Sequence, residues 1–156
     1  MKKLDNRGFT LTELIVVIAI LGILAGALTA SVGQIFSNKT RKFVNECDAM
    51  LTRCRVETLS GAPANTYVEL RLETDGYYYA TFKEGGDVKE EKRLENSNAV
   101  CKYTISGTET PLTSLRISFD RSTGAMASAC AQITQIDISG QKINLVPATG
   151  YHSIGG

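Results

Sequence analysis

Glu13, four cysteines and a single histidine are the residues of this 156-residue chain whose type and setting could do chemistry. Glu13 has the strangest setting. The next charged residue after it is Lys39, so residues 14–38 form an uncharged and largely apolar run. A charge inside such a run costs on the order of 2.5–3.5 kcal/mol even on lenient insertion scales, which makes an acid there a functional residue by default. Cys47, Cys54, Cys101 and Cys130 could form disulfides or stay as buried thiols. Their spacing fits neither a C-x-x-C redox site nor paired zinc knuckles. His152 lies far from all four in sequence, so no metal and no cofactor is expected. A hydrolase needs a nucleophile beside a base, and no G-x-S-x-G context surrounds this histidine. Glu90 and Glu91 are neighbours in a charge run and point in different directions. No calcium loop or phosphate-cradling glycine loop is present either. The chain reads as a non-enzyme.

The elements that must position these residues follow from composition and periodicity. The length fits one membrane span plus one domain of about 100 residues. With 43% hydrophobic residues, 21% charged residues and a formal net charge of +1, nothing points to a nucleic-acid partner. Phosphate binding rests on clustered positive charge. The uncharged run is about 25 residues, enough to cross a hydrocarbon core of about 30 Å as a helix. Lys2, Lys3 and Arg7 outnumber Asp5 ahead of it, which holds the N-terminus in the cytoplasm. Gly22 and Gly26 form a G-x-x-x-G pattern on one helix face, which allows close approach of a second helix.

Two readings compete for this segment. A secretory signal peptide would account for the basic start, the apolar run and the small residues Ala25-Gly26-Ala27. Against it, Glu13 interrupts the apolar run near its beginning, and the helical pattern continues past Ala27. The second reading rests on Arg7-Gly8-Phe9-Thr10-Leu11-Thr12-Glu13, which resembles the type IV prepilin signature of the pilin and pseudopilin family. The resemblance covers about the first 30 residues. It implies that residues 1–8 are a leader, removed by a prepilin peptidase between Gly8 and Phe9, and that Phe9 is then N-methylated. It also implies that Glu13 pairs with the Phe9 amine of a neighbouring subunit and sets the register of assembly. One position departs from the pattern: many major pilins carry a proline where this chain has Ala30.

Beyond the apolar run the helix becomes amphipathic. Val32, Ile35, Phe36, Phe43, Cys47, Met50 and Cys54 fall on helical spacing between charged residues. Ser60-Gly61 and Pro63 supply the stop. The expected helix runs from Phe9 to Ser60, with Asn38 as the one place for a local break. Cys47 and Cys54 are two turns apart, about 10.5 Å, too far to bridge each other. Each could meet Cys101 or Cys130 instead, and the pairing stays open.

From Tyr67 the period changes to two. Residues 67–74 and 77–83 flank Asp75-Gly76 as a hairpin. Tyr77-Tyr78-Tyr79 reads as one buried and two half-exposed rings. Gly85-Gly86-Asp87 is a turn, and residues 89–95 are a charged edge or loop. Residues 99–105 and the Leu115, Ile117, Phe119 run are two more strands. Residues 133–138 and 142–146 form a final hairpin, and the Gly-rich tail, residues 147–156, reads as loosely held. The expected fold is α+β: a long N-terminal helix, half transmembrane and half amphipathic, packed on an antiparallel sheet. The parts are a leader 1–8, a hydrophobic assembly helix 9–34, and a globular domain 35–156 with helix to about 60 and sheet over about 66–146.

The expected function is that of a structural pilus subunit. Its partners would be other copies of itself or other pilins, prepilin peptidase, the membrane assembly machinery, and lipid before assembly. The chain would begin as a single-pass protein of the cytoplasmic membrane and end at the cell surface. The alternative is a minor pilin or pseudopilin with a binding role in DNA uptake, adhesion or type II secretion.

Overall fold

The computed structural model describes residues 10–155, without the side chains of residues 27–33. The described residues fall into two units, one ending at Ile35 and the other starting at Phe36. One helix, α1, runs from Leu11–Leu59, 49 residues in all. Neither Ala30 nor Asn38 interrupts its helical assignment, so Asn38, the one place open to a local break, stays helical. An asparagine inside a helix costs only a fraction of a kcal/mol, and the neighbouring turns hold the hydrogen-bond ladder.

The C-terminal end of α1 is a Schellman cap. The Ala62 amide donates to the Glu57 carbonyl at 2.9 Å, and the Gly61 amide to the Thr58 carbonyl at 3.2 Å. Gly61 sits at φ +92°, which a glycine adopts without a Cβ penalty. The stop signal Ser60-Gly61 therefore works through a specific left-handed residue.

Among the described residues nine strands follow. They are β1 (Tyr67–Leu72), β2 (Tyr78–Glu84), β3 (Asp87–Arg93), β4 (Cys101–Ile105), β5 (Thr108–Pro111), β6 (Ser114–Ile117), β7 (Ile133–Ile138), β8 (Gln141–Val146) and β9 (Tyr151–Gly155). They form two antiparallel sheets in place of the single expected one. The first has the order β3-β2-β1-β6, the second β5-β4-β7-β8-β9. The class is α+β, with the C-terminal part of the helix against sheets, as the amphipathic pattern predicts.

Local pattern accounts for most of these elements. The Asp75-Gly76 hairpin joins β1 and β2, with Gly76 at φ +79° and Asp75 Oδ1 accepting the Tyr77 amide at 3.0 Å. In the tyrosine run, Tyr78 is buried and Tyr77 and Tyr79 are half-buried, as alternation requires. The charged run after Asp87 is an edge strand, a common way to keep a sheet edge from pairing with another chain. Two strands depart from expectation. Ser106-Gly107 makes a tight turn into β5, and the tail forms β9, paired with β8 from Val146↔Tyr151 to Lys142↔Gly155.

The core lies between the helix and the sheets. Phe43, Val44, Cys47, Met50, Leu51 and Cys54 supply one side of it, at the i, i+3, i+4 spacing of one helix face. Thr40 and Thr58 extend that buried stripe. Their hydroxyls donate to the carbonyls of Phe36 at 3.0 Å and Cys54 at 2.7 Å, so no polar atom of theirs is stranded. Val68, Leu70, Ala80 and Phe82 answer from the first sheet, and Ile136, Ile138 and Ile143 from the second. Arg55 ties the helix to two loops, donating to the carbonyls of Gly124 and Thr149 at 2.9 Å each.

The opposite face of β1 carries Glu69, whose side chain is buried between Lys83 at 3.0 Å and Arg116 at 2.8 Å. Burial opposes its ionisation. The hydrogen bonds from Arg116 and Lys83 outweigh that and hold its carboxyl below the usual range. The ion pairs link three adjacent strands, so they also fix register.

Candidate functional site

The candidate site is the first unit, where the acid and the apolar run stand together. Thr10 and Glu13 build its start. The Glu13 amide donates to Thr10 Oγ1 at 3.3 Å, and Glu13 Oε2 accepts the Thr10 amide at 2.9 Å. Glu13 Oε2 also accepts the Thr10 hydroxyl at 2.9 Å. This is a reciprocal capping box, with Thr10 as N-cap and Glu13 as the third helical residue. A carboxylate in the first turn also complements the helix dipole. The T-x-x-E spacing was present in the sequence, and it gives Glu13 an intrachain role that the family resemblance does not suggest.

The helix after Glu13 has the opposite character. Leu14, Ile15, Val16, Val17 and Ile18 are all exposed. Farther along, Ile20, Leu21, Ile23 and Leu24 are exposed as well, with Ile23 at 73%. A soluble surface helix hides one apolar stripe, whereas this one presents apolar side chains all round. Gly22 lies within it, and a methyl group built on Gly22 would meet no atom within 4 Å. Gly26 follows one turn later on the same face. Among the described residues no helix is long and apolar enough to cross a membrane. The described side chains of the run end at Gly26, and Leu11 to Gly26 covers only about 24 Å at 1.5 Å per residue, against a hydrocarbon core of about 30 Å. Gly8 and Phe9, the expected cleavage pair, lie outside the described residues.

The other residues singled out by type sit in the second unit, apart from this segment. All four cysteines are buried and unbridged. His152 is on β9, with Nε2 at 3.0 Å from Thr52 Oγ1 and 3.2 Å from the Asp48 carbonyl. Its Nδ1 lies 3.3 Å from the Gly150 carbonyl. Both ring nitrogens are engaged with the helix and the preceding turn, so the imidazole acts as a clasp for the last strand. Among the described residues no three His, Cys, Asp or Glu side chains come together as a metal site.

Residues 3–29 match the prokaryotic N-terminal methylation motif. The match supports a type IV prepilin-like signature at the N-terminus. The match takes in Gly8, Phe9, Glu13, Gly22 and Gly26 together, and the rest of the chain lies outside it. No curated protein and no solved structure matches the chain. The motif supports a protein of type IV pilin or pseudopilin type, and it implies processing by a prepilin peptidase.

Proposed function

We propose that the chain is a structural subunit of a type IV pilus or a related filament. In this reading the peptidase cuts between Gly8 and Phe9 on the cytoplasmic side, and the new Phe9 amine is methylated. Residues 14–38 carry no charge, and as a helix they would extend about 37 Å, more than the roughly 30 Å that a single pass requires. The subunit is then drawn from the bilayer into a helical filament. The observation that carries this reading is the all-round apolar surface after Glu13. Such a surface is stable in lipid or against copies of itself, and exchanging one for the other leaves its apolar area buried.

Glu13 gains a second role in that setting. The methylated amine of Phe9 is a cation, and an unpaired buried charge is expensive. The Glu13 carboxylate of an adjacent subunit offers the counter-charge. Such a pair fixes axial register, the best-attested use of buried charges. Gly22 and Gly26 would let neighbouring helices approach closely. The protein therefore acts by assembly, and no catalytic residue is assigned to it.

The test is the mature chain itself. Intact mass and N-terminal sequencing of the chain recovered from sheared filaments are expected to give a start at methylated Phe9. A chain that starts after Ala27, or one that retains residues 1–8 at the cell surface, contradicts the reading.

A further inference from the structure

One corner of the first sheet holds a cleft to which the filament reading gives no role. It lies among the loop after α1, the start of β1, β6 and the segment that follows β6. Its volume is about 370 Å³, toward the lower end of the range for small-molecule sites. Arg116 and Arg121 both line it, beside Tyr67 and Phe119. Among the described residues no Asp or Glu side chain lines it. The cleft beside Lys39 and Lys42 differs, because Glu46, Glu91 and Glu95 share it and counter its cations.

Both arginines are held by contacts that use only part of their donor set. Arg116 Nε donates to Glu69 Oε1 at 2.8 Å, and its guanidinium stands 4.9 Å from the centre of the Tyr67 ring. Its two terminal amino groups have no hydrogen-bond partner among the described residues. Arg121 Nη2 donates to the Ala62 carbonyl, which leaves its Nε and Nη1 without one. A guanidinium carries five N–H donors in a fixed fork, so each side chain is oriented and still has donors to offer. Glu69 does not cancel this charge, since the same carboxylate also takes Lys83 at 3.0 Å. Asp120 precedes Arg121, but its Oδ1 accepts from the amides of Ser122 and Thr123 and the residue does not line the cleft.

The hydroxyls in the cleft have the complementary character. Thr66 Oγ1 already donates to the Pro63 carbonyl at 2.8 Å, and Thr58 Oγ1 to the Cys54 carbonyl at 2.7 Å. Each is left with lone pairs only, which suit a ligand that brings its own hydroxyl donors.

We propose that this cleft binds a small hydroxylated anion, a sugar that carries a carboxylate or a phosphate group. The spare donors of Arg116 and Arg121 hold the oxyanion, and Thr58 and Thr66 accept from the sugar hydroxyls. Charge-assisted hydrogen bonds are roughly twice as strong as neutral ones, so the oxyanion carries most of the affinity. The proposal does not depend on the filament reading, because every residue of the cleft belongs to the second unit.

Titration of the full-length chain in a non-ionic detergent, followed through amide NMR shifts, tests it. The probes are glucuronate, glucose 6-phosphate and neutral glucose. Glucuronate or glucose 6-phosphate is expected to give saturable shifts at the amides of Thr66, Tyr67 and Arg121, and glucose none. The tighter of the two anions identifies carboxylate or phosphate as the preferred group. Arg116→Gln and Arg121→Gln should each weaken that binding by about tenfold or more. Lys92→Gln, at the charge-balanced cleft, should leave it unchanged. Failure of both anions to bind, equal binding of glucose, or an affinity unchanged in either arginine variant overturns the proposal. Arg116 also pairs with Glu69, so the wild-type chain supplies a measurement free of folding effects. Raising the salt about tenfold should weaken anion binding severalfold, and an affinity indifferent to salt also overturns the proposal.

Discussion

The two parts of α1 use the same residue types to opposite ends. Before Gly26, leucine, isoleucine and valine are exposed, with Leu21 at 58%. After Thr40, every apolar residue of one face is buried, and Leu51 is at 0%. The charge pattern separates them as sharply. Residues 14–38 have none, whereas Lys39, Arg41, Lys42, Glu46 and Asp48 punctuate the buried stripe. A helix face that alternates with charge finds its partner within the chain. A helix that is apolar all round takes its partner from elsewhere, from lipid or from other copies. The comparison teaches that one continuous element can carry a folding surface and, on the proposed reading, an assembly surface, and that mutations should divide accordingly.

The largest effect is expected at Glu13. On the proposed reading, Glu13→Gln removes the counter-charge and would leave the Phe9 amine unpaired in the filament. Breaking a buried pair costs about 3–5 kcal/mol, so filament yield should fall by about a hundredfold or more. The thermal midpoint of the globular unit should stay unchanged. The capping box supplies the control. Thr10→Ala deletes the cap oxygen, at about 1 kcal/mol, but keeps the carboxylate. If Glu13 serves only as a cap, Glu13→Gln, which keeps a capping-box side chain, will assemble normally while Thr10→Ala is impaired, and shearing assays on the two variants distinguish these outcomes.

A matched pair of leucines tests the division within α1 directly. Leu51→Ala opens a cavity in the core and should cost about 2–5 kcal/mol. Leu21→Ala removes the same atoms from an exposed position and should move domain stability by less than about 0.5 kcal/mol. Thermal unfolding of the detergent-solubilised full chain measures both. Equal losses would erase the distinction between the two parts.

The next effect concerns how the last strand is seated. Gly150 has φ +65°, and a Cβ placed on it would lie 1.9 Å from the Gly124 carbonyl oxygen. Gly124 is itself at φ +69° and accepts from Arg55. Gly150→Ala therefore combines an unfavourable backbone conformation with a clash against backbone. The expected cost is about 2–4 kcal/mol, read as a lower denaturant midpoint, with filament yield changing only as far as folded protein is lost.

These sites also show what the sequence could and could not reveal. The helix, its stop at Gly61, the Asp75-Gly76 hairpin and the final hairpin are written locally, in period and turn residues. The acid and the prepilin-like start are local as well. The division into two sheets is not. It depends on pairings such as Val68↔Ile117 and Cys101↔Ile138, between residues far apart in the chain, and no local pattern specifies them. The strand β9 escaped for a different reason. Its glycine-rich flanks read as slack, yet Gly150 is required where two backbones meet and His152 clasps the helix. The Thr10–Glu13 box is legible as T-x-x-E, a local spacing that offers capping chemistry whatever the apolar run after it does.

The smallest effect lies on the turn after β6, where a carboxylate has a purely local task. Asp120 Oδ1 accepts the Ser122 hydroxyl and amide, and the Thr123 hydroxyl and amide at 3.0 Å each. The hydrogen bonds from the Ser122 and Thr123 hydroxyls, followed by those of the two amides, lower its pKa to about 2. The folded value lies below the ordinary value of 3.8. The stabilisation is therefore complete above the unfolded carboxyl's range and lost as pH falls through it toward about 2. Asp120→Asn should flatten the decline of the thermal midpoint between pH 5 and pH 2 slightly and leave assembly at neutral pH untouched. This carboxylate contrasts with Glu13, since both cap a local backbone segment and only Glu13 stands on the surface proposed for assembly. If Asp120→Asn also lowered filament yield at neutral pH, the assembly surface would have to extend beyond α1 onto the β6–β7 connection.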